Sequence, residues 1–234
     1  MKTMISMAAL CLSSALAYGK ALPVAPDTCS DDISLVSYCT TLEAGTFSGP
    51  IQLKFFLVVP KEEYTNHNQI AGRYLDFFSW PSYGENAGAD NINFRRSDEM
   101  APIEDEEGRT IYRHYGDYQI KAPVVQWFDV RYVTHNREVE AYEGAEYSIE
   151  FEVQSEGEQE VPEGVEPLVG SVGIINQTGS FHVQDCSKSE LCGDGEYLVM
   201  YETTVAPEIE ILPKVAGGAI QRVIENIMIG MYLI

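Results

Sequence analysis

The last stretch of the chain, Pro213 to Ile234, constrains the fold more than any other. It reads PKVAGGAIQRVIENIMIGMYLI. Val215, Ala219, Ile220, Val223, Ile224, Ile227, Met228 and Met231 recur at the 3.6-residue period of a helix, with Gly217, Gly218, Gln221, Arg222, Glu225 and Asn226 on the other side. Pro213 suits a first helical turn, where its missing N–H would have no partner anyway. A helix of about 20 residues is ~30 Å long, and its apolar face is too large to leave in water. A membrane-spanning helix needs roughly 20 consecutive apolar residues. Here polar positions break the first two-thirds, so the spacing predicts a buried core helix and no stable membrane span. Most of the preceding chain reads as strand. The expectation is one curved sheet wrapped around this helix.

The 234 residues are 45% hydrophobic, enough for one domain with a real core. The chain opens with Lys2, an apolar run from Met4 to Leu16, and the small-x-small sequence Ala15-Leu16-Ala17. That pattern reads as a secretory signal peptide over residues 1–17, with cleavage after Ala21 as the alternative. Residues 18–50 then form an N-terminal extension, and 51–234 the domain. The expected location is secreted or periplasmic. Cys11 lies in the leader, which leaves Cys29, Cys39, Cys186 and Cys192. Four cysteines in an exported chain suggest two disulfides. Cys29–Cys39 and Cys186–Cys192 are favoured because each closes a short local loop. Their spacing is not that of a metal knuckle and the four histidines are scattered, so no metal and no cofactor are expected.

A net charge of −21 argues against nucleic acid as a partner. Eleven glutamates between Glu138 and Glu166 read either as a solvated outer face or as a surface for a basic partner; protein partners are left unassigned.

Ile51 to Val59 alternates as a first strand. Pro60 then opens a helix, with Glu62 and Glu63 in its first turn and Ile70, Tyr74 and Phe77 as its apolar stripe. Trp80-Pro81 ends it, and Gly84 to Asp90 is a loop. Strands follow at 91–96, 110–119, 124–134, 146–154, 168–183 and 196–205. In Glu146–Gln154, Tyr147, Ile149, Phe151 and Val153 face one way and charged or polar residues the other, the pattern of an antiparallel strand with one wet face. Ser155 to Pro167 is an exposed acidic loop. The fold class is α+β, with about seven antiparallel strands.

The front, FFLVVPKEEYTNHNQIAGRYLDFFSWP, and the back, PEIEILPKVAGGAIQRVIENI, with the meander between them, resemble the START-like superfamily, also called SRPBCC or the polyketide cyclase/Bet v 1-like helix-grip fold. The match is one of architecture over nearly all of the mature chain, and it departs from the family in its leader and cysteines. The resemblance implies a cavity between sheet and C-terminal helix that takes a hydrophobic small molecule: a lipid, a sterol or a polyketide-like compound. Its lining would come from inward strand positions and the buried helix face: Phe94, Phe128, Val130, Tyr132, Tyr147, Phe151, Ile220, Val223, Ile227 and Met231.

No G-x-S-x-G, H-E-x-x-H, P-loop or dinucleotide fingerprint is present, and no catalytic residue is assigned. His114, with Arg113 and Tyr112 or Tyr118, is the one group suited to the acid–base work of cyclase relatives. Asp185, Asp194 and Glu196 carry the hard oxygens that calcium prefers, at no known spacing. A cyclase or hydrolase on the same fold, and a ligand-free interaction module using the acidic surface, are the alternatives to a carrier.

Overall fold

The structure is a computed structural model that describes residues 20, 22, 43–44, 50–121, 127–208 and 213–232. The leader and the Cys29–Cys39 pair lie outside the described residues. The strands are β1 (Glu43–Ala44), β2 (Ile51–Pro60), β3 (Ile92–Glu104), β4 (Thr110–Lys121), β5 (Trp127–Glu138), β6 (Tyr147–Val153), β7 (Glu158–Gln159), β8 (Leu168–Val169), β9 (Ile174–Asp185) and β10 (Glu196–Pro207). The helices are α1 (His67–Leu75), α2 (Trp80–Asn86) and α3 (Pro213–Tyr232).

One sheet runs β1-β2-β10-β9-β6-β5-β4-β3, and the pairs along it are antiparallel. Seven of its strands are long, and β1 is a two-residue edge. The alternation of β2 places Ile51, Leu53, Phe55, Leu57 and Val59 on the inner face, in register with Val205, Thr203, Tyr201, Val199 and Tyr197 of β10. Against that face α3 buries Ala219, Val223, Ile227, Met228, Met231 and Tyr232. Burying such side chains contributes roughly 1.5–3 kcal/mol each for the large aliphatic ones. This is the expected helix-grip arrangement.

The C-terminal end of α3 is held by groups that answer its free carbonyls. Arg73 Nη1 donates to the Met231 carbonyl at 2.6 Å, a cation at the negative end of the helix dipole. The Tyr64 hydroxyl donates to the Tyr232 carbonyl at 3.3 Å. Nearer the other end, Asn91 Nδ2 donates to the Ala219 carbonyl and Asn226 Nδ2 to Asn91 Oδ1, both at 3.3 Å.

Several expected boundaries shift. Pro60 closes β2 rather than opening a helix, and it pairs with Glu196. The first helix begins at His67 because the Asn66 side chain accepts the Gln69 N–H at 3.1 Å, an N-cap that the pattern reading passed over. Glu62 and Glu63 therefore precede the helix. Trp80-Pro81 starts α2 instead of ending α1, with Pro81 in the first turn where it is tolerated, so Gly84 to Asn86 are helical. β3 runs on to Glu104. The expected strand 168–183 is two, broken where Gly170 and Gly173 take positive φ of 68° and 78°.

The outer face is not wet throughout. Phe56, Val58, Leu198 and Met200 are buried there under Cys186, which bonds to Cys192 in the loop before β10. This staple matches the spacing argument.

Candidate functional site

Between the concave face and α3 lies a cavity of about 70 Å³. Of the residues expected to line one, seven meet there. β3 contributes Phe94, β5 contributes Phe128, Val130 and Tyr132, and α3 contributes Ile220, Val223 and Ile227. The other three lie elsewhere. Met231 is fully buried in the core near the end of α3, and Tyr147 stacks on His67 of α1. Phe151 stacks on Tyr201 at 5.2 Å, over Gly179, where any Cβ would collide with its ring.

The wall is completed by residues that sequence reasoning did not select. Trp80 of α2, Tyr118 and Ile120 of β4, Ile174 and Gln177 of β9, Tyr201 and Val205 of β10, and Ile224 of α3 all face the void. Tyr118 and Ile120 continue the alternation Tyr112, His114, Gly116, and Tyr201 and Val205 continue Tyr197, Val199. That period-2 signal was available. Trp80 was not legible, because its position depends on α2.

The polar atoms of the cavity are phenols and one amide. Tyr118 and Tyr132 meet edge-on at 5.6 Å, and burial raises the Tyr118 pKa well above its usual value and pushes that of Tyr132 up to about 12. Burial raises Tyr201 as well. All three stay protonated near neutrality and can donate. Gly116 opposite Tyr132 leaves room for that ring, since a Cβ there would meet it at 2.8 Å.

His114 sits behind this wall, buried in an aromatic box. Its ring stacks on Phe77 at 4.6 Å, tilts against Trp80 at 5.1 Å and meets Tyr132 edge-on at 5.7 Å. Ser97 Oγ donates its proton to the Phe77 carbonyl at 2.5 Å, so it can only accept from His114 Nε2–H, at 3.0 Å. Nδ1 is then a bare acceptor, and no partner among the described residues reaches it. Burial pulls the imidazole pKa down to about 3, so the ring is neutral at any physiological pH. A neutral, locked imidazole is a poor base for the acid–base role. Arg113 points to the outer face, where it donates to Glu160 Oε2 at 2.6 Å and to the Ala101 carbonyl at 2.8 Å.

A larger trough of about 620 Å³ lies open on the outer face, among Lys54, His135, Arg137, Glu150, Glu152 and Glu202. Its charges are largely paired with one another or with neighbours: Glu150 with Lys20, Lys54 with Glu202 and Arg137 with Asp105. Of the acids considered for calcium, Asp185 has a cation already, and Glu196 Oε2 accepts the Gly193 N–H. Lys61 Nζ donates to Asp185 Oδ1 at 2.6 Å and to the Asp194 carbonyl at 2.9 Å, and this contact pulls the Asp185 pKa down to about 2. Among the described residues no cluster of His, Cys, Asp and Glu could hold a metal, and no helix is long and apolar enough to cross a membrane.

Seven long antiparallel strands, two short helices between the first and second of them, and a long C-terminal helix on the concave side decide the fold. The chain has the START-like helix-grip fold. No family model and no curated protein matches its sequence. Solved structures resemble it at low identity. Human STARD10 aligns with a TM-score of 0.47 and 15% identity over 83% of this chain and 71% of that one. A START superfamily protein from Mycobacterium smegmatis aligns with a TM-score of 0.43 and 13% identity, over 77% of this chain and 95% of that one. The lipid transfer and protein localization domain of human StarD13 aligns at 0.40 and 9%, over 84% and 89%.

Proposed function

We propose that this chain binds and carries a hydrophobic small molecule between its sheet and α3, and that it does so as an exported protein. One observation carries the reading: the sheet and α3 do not close on each other but leave an apolar, aromatic-walled void with a few hydroxyls in it, the make-up of a small-molecule site. Its volume of about 70 Å³ is far below the roughly 300–1,000 Å³ of occupied ligand pockets. A ligand therefore has to part α3 from the sheet. Ile220 and Ile224, which line the void while only partly buried, mark where the helix grips least. The apolar surface gained by a ligand, at about 25 cal/mol per Å², supplies the driving force. The exported location rests on the leader sequence and on the Cys186–Cys192 bond, which suits an oxidising compartment.

The smallness of the void favours a second reading, in which the interior is simply packed and the acidic outer face engages a protein partner. Native mass spectrometry of the mature protein from its own host, followed by solvent extraction, separates the two. A stoichiometric adduct released as a hydrophobic compound supports the carrier. A clean apo mass, with no uptake from lipid extract of that host, refutes it in favour of the interaction module.

A further inference from the structure

We propose that Asn176 is an N-glycosylation site and that the mature protein carries an oligosaccharide there, on the outer face of β9. The inference rests on the exported reading above, because oligosaccharide transfer of this kind acts on exported chains. It adds a modification that the carrier reading does not require.

The sequence supplies the acceptor. Asn176-Gln177-Thr178 is the one place where an asparagine of this chain is followed two residues on by Ser or Thr, and the residue between is not proline. The fold turns that acceptor outward. Gln177 lines the void, and its Nε2 donates to Thr203 Oγ1 at 3.1 Å. Strand alternation therefore puts Asn176 and Thr178 on the opposite face, where both are exposed. Pro207 of β10 pairs with Ile174 and Ala206 with Asn176, so Ile175 is an extra residue bulged out beside the asparagine, 59% exposed. The pairing of β6 with β9 stops at Thr178, short of Asn176. Other asparagines are spent on the fold: Asn66 caps α1, Asn226 of α3 donates to Asn91, and Asn136 is buried against the Tyr74 hydroxyl. In the transfer, Asn176 Nδ2 bonds to the anomeric carbon of an oligosaccharide carried on a lipid pyrophosphate. The bond from that carbon to the pyrophosphate oxygen breaks, the pyrophosphate leaves with the bonding pair, and the amide gives up one of its two protons. A bulky, hydrated glycan at this point covers Ile175 and leaves Ile174 and Gln177 lining the void from the other face.

The test takes the protein from the medium and from the cells of its own host and measures intact mass before and after peptide N-glycosidase. Mature protein from the medium should be heavier than its sequence by an oligosaccharide that the glycosidase removes. Peptide mapping of the treated protein should place the deamidated side chain at position 176. Asn176→Gln and Thr178→Ala should each abolish the added mass, whereas Thr178→Ser, which keeps the hydroxyl, should retain it. If a variant does not accumulate, the wild-type peptide map still decides. Exported protein without its leader and at its bare sequence mass would overturn the inference and leave the exported reading standing. An added mass that survives Asn176→Gln would also overturn it, since the sugar would then sit elsewhere. Protein that keeps residues 1–17 and stays in the cells would overturn the exported reading and this inference with it.

Discussion

Gly230 lets α3 touch α2 backbone to backbone, and a single methyl there should separate them. A Cβ built on Gly230 lands on the Tyr83 carbonyl oxygen, 2.5 Å from the carbonyl carbon and 3.0 Å from Tyr83 Cα. Ordinary contact starts at 3.4 Å, so the two helices must part by about 1.5 Å. Neither side can yield by turning a side chain, because both sides are backbone. Overpacking of this kind costs about 1–3 kcal/mol, and a backbone–backbone clash belongs at the upper end. Glycine to alanine inside a helix gains roughly 1 kcal/mol of propensity. Gly230→Ala should therefore lose about 2 kcal/mol net, a fall in Tm of roughly 4–8 °C for a chain of this size. Gly72→Ala is the control. It lies inside α1, and a Cβ there meets nothing within 4 Å. It should gain the propensity alone and raise Tm by about 2–4 °C. Thermal unfolding followed by circular dichroism reads both. If the two substitutions shift Tm in the same direction, α3 does not pack on α2 through Gly230 and the placement of the grip helix is wrong.

Two further outcomes are expected. Burial lowers the pKa of His114 to about 3 and that of His182, which bridges Ser148 and Ser180, to about 4. Unfolded histidine titrates near 6.5, so both groups bind protons only on unfolding as pH falls from about 6.5 towards 4. Their contribution to stability is fully present above pH 6.5 and is lost below it, with a slope approaching about 2.7 kcal/mol per pH unit for two protons. Urea midpoints of wild type and His182→Gln from pH 7.5 to 4.5 check this: the variant's slope should be shallower by up to about 1.4 kcal/mol per pH unit, one proton's worth, and parallel profiles would remove His182 from the account. Opening the Cys186–Cys192 loop, whose ends are six residues apart, should cost about 2.4 kcal/mol by loop-closure entropy. A denaturation midpoint unchanged by reductant would mean that the bond does not form.

What could be read from the sequence was whatever repeats at a fixed period. Thirteen residues of β3 and twelve of β4 include breaks in alternation, yet β2, β6 and β10 alternate cleanly enough to fix which face is inside. The 3.6-residue stripe of α3 did the same for the helix. Boundaries were harder, because they turn on single polar contacts: the Asn66 cap that delays α1 leaves no mark on a hydrophobic pattern. The site was legible only as a set of inward positions. Tyr147 and Phe151 have the right parity and still miss the void, the first because α1 brings His67 over it, the second because Gly179 beneath it draws the ring down beside Tyr201. Parity assigns a face, whereas a cavity wall depends on what is packed over that face.

His114 carries that argument furthest. From the sequence it was a histidine on a strand, one of four, suited to acid–base work if anything nearby helped it. Its tautomer is set by Ser97, seventeen residues upstream, and Ser97 is committed in turn by the Phe77 carbonyl in the turn before α2. Its charge is set by burial under Phe77, in the turn before α2, and under Trp80, which opens α2 where the pattern reading ended a helix. Neither contact is periodic, so neither could be read from spacing. Together they turn a candidate base into a neutral acceptor. A residue so fixed can accept a hydrogen bond but does not take up a proton at physiological pH, so the acid–base role read from the strand does not survive its surroundings.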